Sequence, residues 1–337
     1  MKELLLYCPP SQLNEATEWY VGTLATAALS FGYALRHVTR LADVGTDSTV
    51  LVVQCKGAFK LRLLRPRARI WMWMQGVYPE EARLHMGSRA REWLQRFFEW
   101  FSLPALRGVV LVSEAMRCHF ADRYGARMPP TFVMPCVNAD LCPTCFDRPG
   151  KYDHPRFVYA GGMHAWQCID ETLDVFKRIR DRLPQATLTL LTRDAEAARA
   201  MVQKKGIEGV EIDHVPLAEL QSRLADFKYG FVLRRHHVVN RVATPTKVSS
   251  YMAAGVIPVT TTAVQDYAAA LRDVHPMVMV GQLDVDAVAA AVLALDAQTL
   301  QPAAVRDRYR RVFETYFDPA LYGPGLREFF KRTGLDR

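Results

Sequence analysis

The chain has 337 residues, half of them hydrophobic and 23% charged, with a net charge of +8. That length suits two domains of about 150 residues, and the composition excludes disordered and fibrous classes. No run approaches the roughly 20 apolar residues that span a bilayer, and Met1–Tyr7 is too short for a secretory leader before Pro9-Pro10, so a cytoplasmic protein is expected.

Short apolar runs alternate with longer helical patterns, the rhythm of repeated βα units on parallel sheets. Leu4–Tyr7 reads as a strand, Leu13–Leu35 as a helix and Thr49–Val53 as a strand. A helix around Phe59–Leu64 and the strand Arg69–Met74 follow. Pro79–Phe101 reads as one long helix, because Pro at the first turn and Glu80-Glu81 near the positive end both suit a helix start. Val109–Val112 is an apolar strand, followed by the helix Ala115–Tyr124 and the strand Phe132–Met134. Pro143, Pro149, Gly150 and Pro155 then break the rhythm in a stretch read as a linker.

The rhythm restarts with strands Phe157–Ala160, Thr187–Leu191, Val210–Asp213, Tyr229–Leu233, Val256–Val259 and Met277–Val280. Helical patterns fall at Ile169–Leu183, Ala195–Lys205, Leu217–Ala225, Thr246–Ala254 and Asp286–Leu295, with two more near Val305–Tyr316 and Ala320–Lys331. The expected fold is α/β, with two facing doubly wound Rossmann-like domains and an interdomain cleft. The boundaries are 1–140, a linker over 141–155, 156–300, and closing helices over 301–337 that are available to pack back on the N-terminal domain. Such sheets bind ligands at the carboxyl ends of their strands.

From Lys56 to Arg107, eleven Lys/Arg stand against four Glu, so this segment alone carries +7. A basic face attracts polyanions. No zinc-finger, helix-turn-helix or RNA-recognition signature accompanies it, so nucleic acid is not an expected partner. Leu61–Trp71 mixes basic and apolar residues. If exposed, it would rest on an anionic membrane; otherwise it is a helix, a basic turn and a buried strand. The seven cysteines are too sparse for a disulfide scaffold. Cys142-Pro143-Thr144-Cys145 has the spacing of half a zinc site, but no other half lies at a usual interval. Reduced thiols and no metal are expected.

The most informative stretch is Pro245-Thr246-Lys247-Val248-Ser249-Ser250-Tyr251-Met252-Ala253-Ala254-Gly255-Val256-Ile257-Pro258-Val259. It reads as a loop, a helix starting at Thr246, a glycine stop and a buried strand. A helix start presents unpaired N–H groups and partial positive charge, which suit a phosphate, and Lys247 adds a full charge. The bland reading is a βα unit with a surface lysine.

This stretch resembles the donor-site segment of retaining GT-B glycosyltransferases of the large bacterial polysaccharide and lipopolysaccharide group (glycosyltransferase group 1, family 4-like), which often reads P-x-K-x-x-E-Y-x-A-x-G-x-P-V. Gly230–Arg235 and Asn240-Arg241-Val242-Ala243 resemble the strand and loop before it. Tyr159–Gln167 resembles the glycine loop opening the C-terminal domain, while Val112–Met116, Pro135-Cys136-Val137 and Gln75–Glu81 resemble N-terminal elements.

The resemblance implies a hexosyltransferase that moves sugar from a nucleotide-sugar donor to a carbohydrate or lipid-linked glycan acceptor. It implies no cofactor, and no metal where cations and a helix start hold the diphosphate; no Asp-x-Asp motif is present. Gly161 and Gly162 would let backbone N–H groups approach the diphosphate, with His164 beside them. Pro245, Thr246 and Lys247 would neutralise the leaving group, and Arg234 or Arg241 would supply a second cation. Thr192 and Val215 would border base and ribose, with Asn240 in the preceding loop. Gln75, Gly76 and Glu80 would lie on the acceptor side.

The family's paired glutamates fall here on Ser250 and Val242, its loop cations near Gly162 and Gln167, and Pro9-Pro10-Ser11-Gln12 replaces its N-terminal glycine loop. A serine binds a ribose hydroxyl more weakly than a carboxylate does. A GT-B-fold nucleotide- or glycan-binding protein that has lost turnover is therefore the alternative reading.

Overall fold

The computed structural model describes residues 2–8 and 15–336, leaving aside the side chains of Glu15 and Ala16. Pro9-Pro10-Ser11-Gln12 lies outside the described residues. The chain divides into two compact units, the first comprising Met1–Asn138, Arg241–Thr244 and Asp318–Arg337, the second Ala139–Asn240 and Pro245–Phe317. No helix among the described residues is long and apolar enough to cross a membrane.

The first unit is built on strands β1 (Lys2–Tyr7), β2 (Tyr33–Val38), β3 (Thr49–Val52), β4 (Arg69–Met74), β5 (Gly108–Leu111) and β6 (Thr131–Val133). All pair in parallel, in the order β2-β1-β3-β4-β5-β6. Its helices are α1 (Glu15–Leu29), α2 (Cys55–Leu64), α3 (Tyr78–Met86), α4 (Arg89–Ser102), α5 (Glu114–Tyr124) and, from the chain's end, α14 (Pro319–Arg332). The central strands are apolar without alternation because helices cover parallel sheets on both faces. Trp71, Met72, Trp73 and Met74 are all buried. Trp73 stacks on Tyr20 of α1 at 4.3 Å, and Trp71 Nε1 donates to Thr333 Oγ1, at the end of α14, at 2.8 Å.

The sequence reading misplaces two elements of this unit. The helix expected over Leu13–Leu35 stops at Leu29, Gly32 turns the chain at φ +77°, and Tyr33–Val38 becomes a strand beside β1. Six residues at a sheet edge gain their hydrogen bonds from β1, which no local pattern reveals. The helix expected over Pro79–Phe101 is two helices. Gly87 ends α3 at φ +61°, a region few residues but glycine adopt, and Ser88 caps α4 by accepting from Arg91 N–H.

The second unit carries β7 (Arg156–Ala160), β8 (Thr187–Leu191), β9 (Val210–Asp213), β10 (Tyr229–Val232), β11 (Ile257–Thr261) and β12 (Val278–Val280). Their order is β12-β11-β10-β7-β8-β9, again all parallel. Its helices are α6 (Ile169–Arg180), α7 (Ala195–Lys205), α8 (Leu217–Leu224), α9 (Val238–Arg241), α10 (Thr246–Ala253), α11 (Gln265–Ala270), α12 (Val285–Asp296) and α13 (Pro302–Val312). The order reverses between β7 and β10, the position at which loops on opposite sides diverge and leave a crevice.

Residues 141–155, read from sequence as linker, pack within this unit. Lys151 Nζ is buried and donates to Ala225 O and Ala254 O at 2.7 and 2.9 Å, and Tyr152 Oη donates to Gly255 O at 2.8 Å. Cys142 N–H bonds Ala253 O at 2.9 Å. The cysteine expectation is corrected here. A 3₁₀ turn over Pro143–Phe146 brings the Cα atoms of Cys142 and Cys145 within 5.4 Å, and the two form a disulfide rather than reduced thiols. Among the described residues no group of three or more His, Cys, Asp or Glu could hold a metal ion.

Buried charge in the first unit gathers groups of both signs, although Glu80 Oε2, Glu99 Oε1, Arg96 Nε, His119 Nε2 and Arg123 Nη1 are buried without a hydrogen-bond partner. Glu80 on α3 pairs with Arg123, lies 3.7 Å from Arg96 and 3.9 Å from His119. Glu99 on α4 is fully buried and accepts from Tyr124 Oη. Burial pushes the Glu99 carboxyl up to about 8, with Glu80 raising it further against the lowering from Tyr124 and Arg123. Its contribution to stability is therefore fully present below the ordinary glutamate range near 4.5 and lost as pH rises through about 8. Glu99→Gln keeps an acceptor for Tyr124 and removes that loss. Its thermal midpoint relative to the parent should climb between pH 6 and pH 9, and a difference that stays constant across this range would assign the titration elsewhere.

Candidate anion site at the switch point of the second unit

The site begins where β7 ends. Gly161 adopts φ +141°, outside the range comfortable for side-chain-bearing residues, and its N–H bonds Leu191 O at the end of β8 at 2.9 Å. The loop is held from below by Tyr159, whose hydroxyl donates to Gly162 O, and by Tyr251, whose hydroxyl accepts Ala160 N–H at 2.9 Å. It is held from the side by Asp194, which accepts Met163 N–H at 3.1 Å. Cys168 ends the loop in the left-handed region at φ +54°. Backbone strained in this way concentrates at ligand sites.

Lys247 enters this loop from the first turn of α10. Its ammonium donates to Gln167 Oε1 at 2.8 Å and sits 5.1 Å from the centre of the Tyr159 ring. A Cβ added at Gly161 would stand 2.6 Å from Lys247 Cε and 2.8 Å from Nζ, so the missing side chain is the space the lysine occupies. Arg234, just past β10, is 3% exposed, and its guanidinium donates to Trp166 O at 3.1 Å and Leu233 O at 3.3 Å. Burial pushes the Lys247 amine well below the usual lysine range, and Arg234 pushes it further; burial also lowers Arg234. Among the described residues neither cation has a carboxylate within ion-pair distance, whereas buried charges are ordinarily paired. Two such cations, facing only carbonyls, an amide and rings, form a site for an anion.

Other predicted residues surround this centre with more ordinary contacts. Thr246 opens α10, where the first-turn N–H groups have no acceptor within the helix, and Pro245 O accepts from Tyr267 Oη at 3.1 Å. Ser250 is buried on the same helix, and its hydroxyl donates back to Thr246 O at 3.0 Å. Thr192 is buried at the end of β8 and accepts Asp194 N–H at 3.1 Å, fixing the residue that holds the glycine loop. Val215 lies half-buried in the connection after β9. His164 stacks on Trp166 at 4.7 Å. Asn240 is buried and donates to Arg235 O at 2.9 Å, closing the turn before α10.

Arg241, Gln75, Gly76 and Glu80 belong to the first unit. Arg241 is exposed. A Cβ at Gly76 would strike the Glu81 carboxylate, which accepts Val77 N–H at 3.1 Å. Glu80 is occupied by Arg123 and Arg96, with His119 3.9 Å away, so it is a structural charge of α3. Sequence reasoning missed Tyr159, Trp166, Asp194 and Tyr251 as parts of the site. Asp194, three residues past an apolar strand end, carried the one signal that was readable. A separate open recess of about 510 Å³ beside the disulfide, between residues 142–149 and α8, is lined by Cys142, Asp147, Arg148, Gln221 and Ser222 and has no comparable buried charge among the described residues.

No family model matches the chain, and no curated protein matches its sequence. Solved structures do match its fold. Sucrose-phosphate synthase from Thermosynechococcus elongatus is similar with a TM-score of 0.70 at 12% identity, covering 98% of this chain and 99% of that one. An E. coli trehalose-6-phosphate structure bound with UDP-2-fluoro glucose gives 0.61 at 15% identity, covering 94% and 78%. A mutant of S. aureus TarM in complex with fondaparinux, alpha-GlcNAc-glycerol and UDP gives 0.62 at 12% identity, covering 92% of this chain but 58% of TarM, so the chain spans little more than half of TarM's length. At these identities the likeness shows the fold, and the chain has the α/β architecture of two Rossmann-like units, GT-B, expected from its sequence.

A half-buried lysine beside a buried arginine, with no carboxylate within ion-pair distance among the described residues, destabilises the unliganded protein. Lys247→Met, which keeps volume and removes charge, should raise the thermal midpoint by a few degrees, on the order of 1 kcal/mol. An unchanged or lowered midpoint would show that the lysine is already compensated.

Proposed function

We propose that the chain is a nucleotide-sugar-dependent glycosyltransferase, moving a hexose-type sugar with retention to a carbohydrate or lipid-linked glycan in surface polysaccharide assembly. The observation that carries this reading is the pair of half-buried Lys247 and buried Arg234, without a carboxylate within ion-pair distance among the described residues, at the switch point of a doubly wound sheet. A diphosphate supplies the missing charge. Lys247, Arg234, the first-turn N–H groups of α10 and Gly162 N–H would bind its oxygens, and Thr192 and Val215 at the ends of β8 and β9 would border the nucleoside. Ser250, also on α10, would lie toward the ribose.

In the reaction, the bond from the anomeric carbon to the diphosphate oxygen breaks and its electron pair stays on the leaving diphosphate. The acceptor oxygen bonds that carbon and passes its proton to the departing diphosphate oxygen, which the electron pair has made basic. Charge on the leaving group grows as the bond breaks, so fixed cations in a dry site stabilise the transition state more than the ground state. These groups belong to the chain, and the reading requires no divalent ion or cofactor; turnover in the presence of a chelator tests that directly. The solved structures with UDP, UDP-2-fluoro glucose, alpha-GlcNAc-glycerol and fondaparinux support a nucleotide-sugar donor and a glycan acceptor. The excess of cations over Lys56–Arg107 supports a peripheral contact with anionic membrane at the cytoplasmic side.

Thermal midpoints against UDP, GDP, ADP, TDP and CMP test the donor site. A nucleotide at a hundredfold over its dissociation constant should stabilise by about 2.7 kcal/mol, a shift of a few degrees. Lys247→Met should lose an order of magnitude or more in affinity, and Gly161→Ala should do likewise by displacing the ammonium. A protein that shifts with no nucleotide lacks the donor site. One that binds a nucleotide but transfers no sugar from its hexose conjugates is a binding protein.

A further inference from the structure

Helix α4 of the first unit exposes a single stripe of large apolar side chains. Trp93, Leu94, Phe97 and Trp100 fall one helical turn apart and are 70%, 50%, 46% and 49% exposed. They rest on partners that fix them. Phe97 meets Phe59 of α2 at 5.8 Å and Trp100 at 6.5 Å, and the Arg127 guanidinium covers the Trp100 ring at 4.3 Å while donating to Trp100 O. The stripe continues onto Leu63 and Leu64 at the end of α2, also exposed. Isolated exposed leucines are ordinary, but a contiguous stripe containing two tryptophans calls for a partner.

The charge around the stripe identifies the partner. Lys56 and Lys60 share the outer face of α2 with Leu63 and Leu64, and Arg89 and Arg91 open α4; all four cations are exposed. The four carboxylates of segment 56–107 are turned away from solvent: Glu80 and Glu99 are buried, and Glu81 and Glu92 are half-buried, Glu92 paired with Arg96 at 2.7 Å. The surface therefore presents indole and aliphatic groups rimmed by cations, with no acid exposed from the segment. A second copy of the chain would set this cationic rim against itself. We propose that the α2–α4 face docks on an anionic lipid surface, with Trp93, Leu94, Phe97 and Trp100 entering the headgroup boundary and Lys56, Lys60, Arg89 and Arg91 binding lipid phosphates. The inference deepens the membrane contact of the proposed function and does not depend on sugar transfer. It also moves that contact from Leu61–Trp71, whose strand half is buried in β4, onto α4.

Co-sedimentation with phosphatidylcholine–phosphatidylglycerol vesicles tests it, with pure phosphatidylcholine vesicles alongside. Binding to the anionic vesicles at low salt, reversed by salt and weak on neutral vesicles, is the expected result. Trp93→Ser with Trp100→Ser should weaken partition by at least about tenfold, as befits two lost apolar anchors. Lys56→Gln with Lys60→Gln should weaken it about fivefold per cation. Both pairs are exposed, so thermal midpoint and nucleotide-induced shift should match the parent. Failure here with an intact nucleotide shift separates this inference from the donor site. Absence of binding at low salt, or binding indifferent to both pairs, overturns it. So does a concentration-dependent dimer in sedimentation equilibrium that Trp93→Ser with Trp100→Ser abolishes, because the stripe would then belong to a second copy.

Discussion

Everything at the candidate site depends on holding two like charges, half-buried Lys247 and buried Arg234, close enough to repel each other. Each is held by neutral dipoles alone: Gln167 for the lysine, and the carbonyls of Trp166 and Leu233 for the arginine. Dipoles of this kind orient a cation without cancelling it, so the charge stays available to whatever anion arrives. The supporting residues follow from that demand. Gly161 vacates the volume that the lysine stem fills. Tyr159 and Tyr251 brace the loop from the sheet side, and Tyr251 in turn needs Gly230, because a Cβ there would stand 2.4 Å from its ring. A chain of small-residue and aromatic positions thus follows from one electrostatic requirement.

The first unit meets buried charge in the opposite way, which makes the second more informative. Glu80 and Glu99 are ringed by Arg96, His119, Arg123 and Tyr124, so carboxylates and cations answer one another. Such a network fixes α3, α4 and α5 against each other and leaves little charge for a ligand. One fold therefore contains both a compensated cluster and an uncompensated one. The latter is of one sign, so binding an anion there releases electrostatic free energy.

The alternation of strands and helices was legible because parallel βα units leave apolar strand runs that survive any change of neighbour. The sequence also set Lys247 at a helix start and Gly161 in a loop after a strand, and the fold brings the two into contact. What sequence hid was whatever tertiary pairing decides. β2 looks like the tail of a helix until β1 supplies its hydrogen bonds. Glu80 looks like a surface acid opening α3 until Arg123 turns it inward. Residues 141–155 look like a linker because prolines break their periodicity, yet Lys151 and Tyr152 cap the carbonyls of Ala225, Ala254 and Gly255. Gln167 is the subtlest case: it reads as the loss of a cation from the loop, and in the fold it is the group that holds one.

The two proposals rest on the same physical sign read in different solvents. A folded chain minimises both buried unpaired charge and exposed large apolar surface, because each raises its free energy when nothing is bound. This chain carries a feature of each kind, the cation pair at the switch point and the tryptophan stripe on α4. The cation pair is relieved by an anion small enough to reach past Gly162. The stripe is relieved by a surface that takes indole and aliphatic groups while meeting arginine and lysine at its edge. A soluble anion cannot satisfy the second, and a lipid surface cannot enter the first. The two features therefore specify separate partners, and a small soluble substrate alone would leave the α4 face without a purpose.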